Sequence, residues 1–216
     1  MSESTTRFLQ QENSRLQQEI EALNRKNIAL IRHLNMVEEL YWMAQSITAE
    51  ENPLAALDTL LGQVMEVVGA ADGSILCRDE TMGELVFVLV QGGLRSSLPG
   101  FRLQSGSGIS GWVVENQKPI IVNNPRQDWR FSLEVDEEFG FLSRSVIQVP
   151  VLADDQAIGV ISLVNKYDDN FTPADVALLL AFSQITATVL QLIPPELKTP
   201  EPQQVDDDLF GEEELF

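Results

Sequence analysis

Histidine and cysteine are almost missing from this sequence, with His33 and Cys77 each the single residue of its type. A lone thiol excludes an intrachain disulfide and a multi-thiolate metal site, and Cys77 is expected to be a buried structural side chain. Basic residues are also scarce, with 14 Lys and Arg against 33 Asp and Glu and a net charge of -19. That balance argues against non-specific binding to nucleic acid or to an anionic membrane surface. The only candidate membrane span is the charge-free run Val176 to Ile193. Ser183, Gln184, Thr186, Thr188 and Gln191 interrupt it, so a helix buried in the protein is the expectation. Met1 to Thr6 are polar and lead into a charged helix, unlike a secretory signal, and the expected compartment is the cytoplasm. Neither Gly nor Pro occurs before Pro53, so nothing in the sequence breaks a long N-terminal helix.

That first stretch carries a seven-residue repeat. Leu9, Leu16, Leu23, Leu30 and Val37 take the d positions, and Thr6, Asn13, Ile20, Asn27, Leu34 and Tyr41 the a positions. Sustained heptads with an apolar seam predict a coiled coil over residues 1–47. Asn13 and Asn27 at a favour a parallel two-stranded register, because a misaligned partner leaves the amide unpaired, and a parallel homodimer is expected. His33 falls at a g position facing solvent. No histidine is then left for residues 48–193, which form the expected globular domain.

The pattern changes after a break at Glu51-Asn52-Pro53. An apolar-periodic helix from Leu54 to Val68 should end near Gly69. Ser74–Cys77 and Leu85–Val90 read as strands around an Asp79–Gly83 hairpin loop. A short helix is predicted over Gly111–Asn116, a strand over Pro119–Val122, and a long loop with a helical turn over Asn123–Phe141. Val146–Leu152 and Ile158–Val164 read as strands joined at Asp154-Asp155, and Pro173–Ile193 as a closing helix. Hairpins bracketed by helices predict an α+β domain with an antiparallel sheet covered by helices.

Four segments carry a family resemblance. They are Gly108-Ile109-Ser110-Gly111-Trp112-Val113-Val114, Lys118-Pro119-Ile120-Ile121-Val122, Ser145-Val146-Ile147-Gln148-Val149-Pro150-Val151 and Ile158 through Lys166. Taken together over roughly residues 50–193, they resemble the GAF domain as used in bacterial signalling. The resemblance implies a six-stranded antiparallel sheet flanked by helices, a small-molecule pocket on one face, and dimerisation through terminal helices. Asn165, Lys166, Phe171 and Asp175 resemble the signature of the cyclic-nucleotide-binding GAF domains of phosphodiesterases. Val176 stands where that signature has Glu, and the spacer from Lys166 to Phe171 is short. Local chemistry accounts for part of the match: Thr172 suits an N-cap, Pro173 N1 and Asp175 N3, with Phe171 and Val176 as a hydrophobic staple. Bilin, histidine-ligated haem and sulfoxide-reductase chemistries need His or Cys residues that this domain lacks, so no cofactor, metal or catalytic set is expected.

Gly106, Gly108 and Gly111 spell G-x-G-x-x-G, with Asp128 beyond them. A dinucleotide site needs a strong strand before the glycines and a full-length helix after them. Gly-Phe-Arg-Leu-Gln-Ser precedes them and Pro119 stops the helix early, so a turn with φ > 0 positions and close packing is the better reading. Candidate ligand-binding residues lie on the long loop and the lip of the next strand: Asn123, Asn124, Asp128, Trp129, Phe139, Phe141, Arg144 and Ser145. The aromatics could cover a planar ligand and the polar groups fix its edges, or the aromatics could simply cap the core. The Pro, Gln and acid-rich stretch 194–216 reads as a disordered tail. It ends in two copies of three acids, Leu and Phe, with Leu209, Phe210, Leu215 and Phe216 as expected anchors for a protein partner. The predicted whole is a sensor or adaptor, not an enzyme, that binds a small molecule (a cyclic nucleotide among the candidates) and signals to a separate partner. The alternative is a ligand-free GAF scaffold for dimerisation and docking.

Overall fold

A computed structural model describes residues 3–46, 52–167 and 170–193, with α1 side chains described at residues 7–28 and 31. Helix α1 (Glu3–Ser46) runs unbroken for 44 residues, about 66 Å at 1.5 Å per residue. Along it Leu9, Leu16, Ile20 and Leu23 are 44–56% exposed, so the apolar seam stands uncovered on the isolated chain. The seam positions beyond Ile31 lie outside the described side chains.

Helix α2 (Pro53–Val68) starts where its sequence signals place it. Asn52 caps it by accepting hydrogen bonds from the Leu54 and Ala55 N–H groups, and Pro53 occupies the first turn, where no N–H is needed. Gly69, at φ 77°, closes it by donating its N–H to the Met65 carbonyl. Its buried residues, Leu57, Leu60, Leu61, Val64, Met65 and Val68, follow the helical period and give one apolar face.

Six strands follow: β1 (Ala70–Arg78), β2 (Leu85–Gln91), β3 (Arg102–Leu103), β4 (Ile120–Val122), β5 (Val146–Ala153) and β6 (Gln156–Lys166). They form one antiparallel sheet in the order β3-β2-β1-β6-β5-β4. Asp154 and Asp155 both have positive φ between β5 and β6, as a two-residue hairpin turn requires. In the β1–β2 loop the Asp79 carboxylate accepts from the Thr81 N–H and hydroxyl and the Met82 N–H, and also from Arg102 at 2.9 Å. The Thr81 hydroxyl, followed by the Arg102 guanidinium, holds that carboxyl well below the usual carboxylate range.

Strand periodicity sorts the sheet into two faces. Ile75 and Cys77 of β1, Ile147, Val149 and Val151 of β5, and Ile161 and Leu163 of β6 face α2 and α5 (Pro173–Leu192) in the main core. Cys77 is buried there, as expected from the sequence. The central strands' opposite face packs Leu76, Phe87 and Val160 against Ile109 and Val113 of α3 (Gly108–Asn116). Helix α5 is long and apolar enough to cross a membrane by length and composition, but half of that window is buried inside this domain. Phe182 and Leu179 sit in the core with no exposure.

Three differences from the sequence reading concern edges. Strand β1 begins four residues before Ser74, and α3 begins at Gly108 rather than Gly111. The two-residue strand β3 has no run of apolar residues to announce it, and pairing with β2 alone creates it. The glycine string behaves as a turn. Gly106 and Gly108 have φ of 74° and 68°, and a Cβ on Gly111 would overlap the Gly106 backbone.

Candidate functional site

The face of the sheet turned away from α5 does not close fully against its cover. Strands β1, β6 and β5 form a floor, the first turn of α3 one wall, and the loop after residue 130 with α4 (Glu134–Glu138) a roof, around a cavity of about 110 Å³. Most of the lining is apolar, including Leu76, Phe87, Ile109, Phe131, Val135 and Phe141. A row of polar residues crosses the floor. Ser74, Ser162 and Gln148 are register partners on the three adjacent strands, and each is 4–6% exposed. Gln148 Nε2 donates to Ser162 Oγ at 3.1 Å, while Gln148 Oε1 is buried with no hydrogen-bond partner.

The roof is fastened through Asp136, whose side chain is 2% exposed. It accepts from Arg126 Nη2 at 2.9 Å and from the Ser143 hydroxyl at 2.8 Å and N–H at 3.2 Å. A cluster beside it joins Arg130 to both Asp128 oxygens and places its guanidinium over the Trp112 ring, 4.8 Å from the centroid. Hydrogen bonds from Arg130 hold the Asp128 carboxyl below its ordinary value.

At the rim of the sheet, β6 and α5 are clasped together. Asp175 Oδ2 accepts from Lys166 Nζ at 2.7 Å, the Thr172 N–H at 2.7 Å and the Thr172 hydroxyl at 2.9 Å. Phe171 is buried beneath, and Lys166 Nζ lies 5.7 Å from its ring centroid. Asn165 adopts φ 61°, a left-handed conformation that Asn tolerates better than most side chains. Its Oδ1 accepts the Arg144 N–H at 2.8 Å, and its Nδ2 reaches the Leu142 carbonyl and Asp72 Oδ2. The four signature residues therefore form one architectural junction, and none of them lines the cavity.

Of the eight loop residues expected to bind a ligand, Phe141 lines the cavity. Asn123 instead clamps the entry to α5, accepting the Phe171 N–H at 3.0 Å and donating to the Phe171 carbonyl at 3.4 Å. Asn124 precedes a single 3-10 turn (Pro125–Gln127) without a side-chain cap, and Asp128 holds Arg130. Trp129 is 86% exposed, and Phe139 packs edge-on against Phe101 at 5.1 Å. Arg144 gives its N–H to Asn165, and Ser145 Oγ accepts the Lys166 N–H. The floor residues Ser74, Gln148 and Ser162 were not singled out from the sequence. For Gln148 and Ser162 the signal was a polar residue interrupting an apolar run, whereas Ser74 follows Asp72 and Gly73 and carried no such signal. The anchors Leu209, Phe210, Leu215 and Phe216 lie outside the described residues. Among the described residues no three His, Cys, Asp or Glu side chains come together as a metal site.

A GAF domain family model matches residues 50–191. The chain is 32% identical over 74 residues to a probable 3',5'-cyclic phosphodiesterase of Caenorhabditis elegans, a match covering 34% of this chain and 10% of that protein. It is 31% identical over 118 residues to the dual 3',5'-cyclic-AMP and -GMP phosphodiesterase 11A of Takifugu rubripes, covering 50% and 13%. The chain thus spans only about a tenth of the length of these curated relatives. Solved structures of similar fold include the GAF domain of a phosphoenolpyruvate-protein phosphotransferase from Coxiella burnetii, with a TM-score of 0.65 and 22% identity, covering 74% of this chain and 94% of that one. The corresponding domain from Acinetobacter has a TM-score of 0.63 and 20% identity, covering 74% and 92%.

Proposed function

Because the chain belongs to the GAF domain family, we propose that it is a non-catalytic sensor that takes a small molecule into the cavity on the β1–β6–β5 floor and signals to a separate protein. The observation that carries this reading is the cavity itself. Cores close to crystal-like density, so a half-open space of about 110 Å³ with a polar row on its floor is poor packing unless something occupies it. The relatives named as cyclic phosphodiesterases bring cyclic nucleotides forward as one ligand class.

Strand β6 offers the route for a signal. Ser162 and Val164 face the cavity, while Ile161 and Leu163 face the core under α2 and α5. A ligand that shifts the floor would act through this strand on α5, and on α1, which approaches both α2 and α5. The α1 seam suits a parallel homodimer, and the repeated acidic Leu-Phe motifs of the tail suit docking to a basic partner. The scaffold reading, with no ligand, draws support from the cavity's size, below the ~300–1,000 Å³ of common ligand pockets.

Thermal-shift measurements on the full-length protein with cyclic mono- and dinucleotides and small metabolites separate the two. A saturable rise that disappears in Val135→Trp, whose indole fills the cavity, supports the sensor. No rise with any compound favours the scaffold.

A further inference from the structure

Resting on the reading of this cavity as a ligand site, we infer that its ligand is a compact, uncharged cyclic amide or base-like ring that carries no phosphate and donates an N–H to Gln148. A buried carbonyl oxygen without a donor costs about 1–3 kcal/mol, and Gln148 Oε1 is such an oxygen in a residue 6% exposed. The amide nitrogen already donates one hydrogen bond to Ser162, and the end of the side chain without a partner is the acceptor oxygen. Across from the floor, the cavity reaches Ser107, Gly108, Ile109 and Ser110 at the start of α3. Ser107 makes no side-chain cap, which leaves the first-turn N–H groups to meet a ligand carbonyl. A ring bearing N–H and C=O groups, with an apolar face for Leu76, Phe87 and Phe141, answers each feature.

Charge argues against a phosphate ester. The lining contains Asp72, Glu134 and Asp136 but no Lys, Arg or His. Asp136 is already paired with Arg126, and Asp72 accepts from the Gly93 N–H and from Asn165, so neither needs a ligand. The partial positive charge of one helix N-terminus, about half a unit, does not offset burying a phosphodiester beside carboxylates. Size agrees, since about 110 Å³ is below what common ligand pockets offer.

Calorimetry and thermal shift on the full-length protein with uracil and with cyclic GMP, in wild type and in Gln148→Met, provide the test. Methionine keeps the volume and removes both amide ends, the unpaired oxygen included, so a melting temperature without ligand at or above the wild-type value confirms that the variant folds. Uracil at a hundredfold excess over its Kd should raise the wild-type melting temperature by about 5–10 °C, and Gln148→Met should weaken its binding about tenfold or more. Binding of cyclic GMP without uracil would overturn the inference while leaving the cavity a ligand site. Uracil binding unaffected by Gln148→Met would also overturn it, as would no binding of either probe.

Discussion

Replacing Asp175 with Ala removes one oxygen that serves three partners, Lys166 Nζ and both donors of Thr172. Loss of the reciprocal N-terminal cap costs about 1 kcal/mol. Lys166 is then left with an unpaired ammonium on a side chain only 16% exposed. Stranding one member of a buried pair costs about 3–5 kcal/mol, reduced here to about 1–2 because the ammonium still reaches water. The expected total is about 2–3 kcal/mol, or roughly 4–12 °C in melting temperature for a domain of this size. Denaturant unfolding at fixed protein concentration reads it directly. Lys166→Met/Asp175→Leu, which replaces the pair by apolar side chains, should cost less than Asp175→Ala alone. A loss below about 0.5 kcal/mol, or additive single and double variants, would refute the view that these residues clasp β6 to α5.

Asn165→Ala should destabilise by about 2–4 kcal/mol in the same assay, because it removes three side-chain hydrogen bonds and leaves Ala at positive φ. Asp79, held below its ordinary value in the folded protein, contributes stability that is complete above the unfolded carboxylate range and lost as pH falls. Unfolding midpoints should therefore drop from about pH 5 downward, and Asp79→Asn should flatten that slope. Leu16→Asp/Leu23→Asp should convert a dimer to a monomer by light scattering, and a wild-type monomer at micromolar concentration would remove the coiled-coil proposal. If the tail docks as proposed, Phe210→Ala/Phe216→Ala should abolish most capture of its partner, while neutralising the acids should chiefly slow association.

Local chemistry was legible wherever neighbouring residues decide the outcome. Thr172, Pro173 and Asp175 announce the start of α5, and the Asp154-Asp155 turn and the Gly69 stop follow equally short-range rules. The cavity follows no such rule, because Ser74, Gln148 and Ser162 meet only when β1, β6 and β5 pair. The loop, by contrast, carries Asn, Asp and Arg side chains that look like binding groups in sequence. Several of them hold the structure together instead: Asn123 holds Phe171, 48 residues away, and Asp128 holds its neighbour Arg130. The sequence nonetheless carried a trace of the floor. In the run Ile147-Gln148-Val149 one polar side chain interrupts an apolar strand, and strand alternation puts it on the face opposite Ile147 and Val149.

Native mass spectrometry of the full-length protein, incubated with a metabolite extract of its own cells, tests the ligand cavity most directly. The expected result is a bound small molecule of defined mass on wild type that is lost in Val135→Trp. A spectrum showing only the bare protein, or the same mass increment on wild type and Val135→Trp, would contradict it.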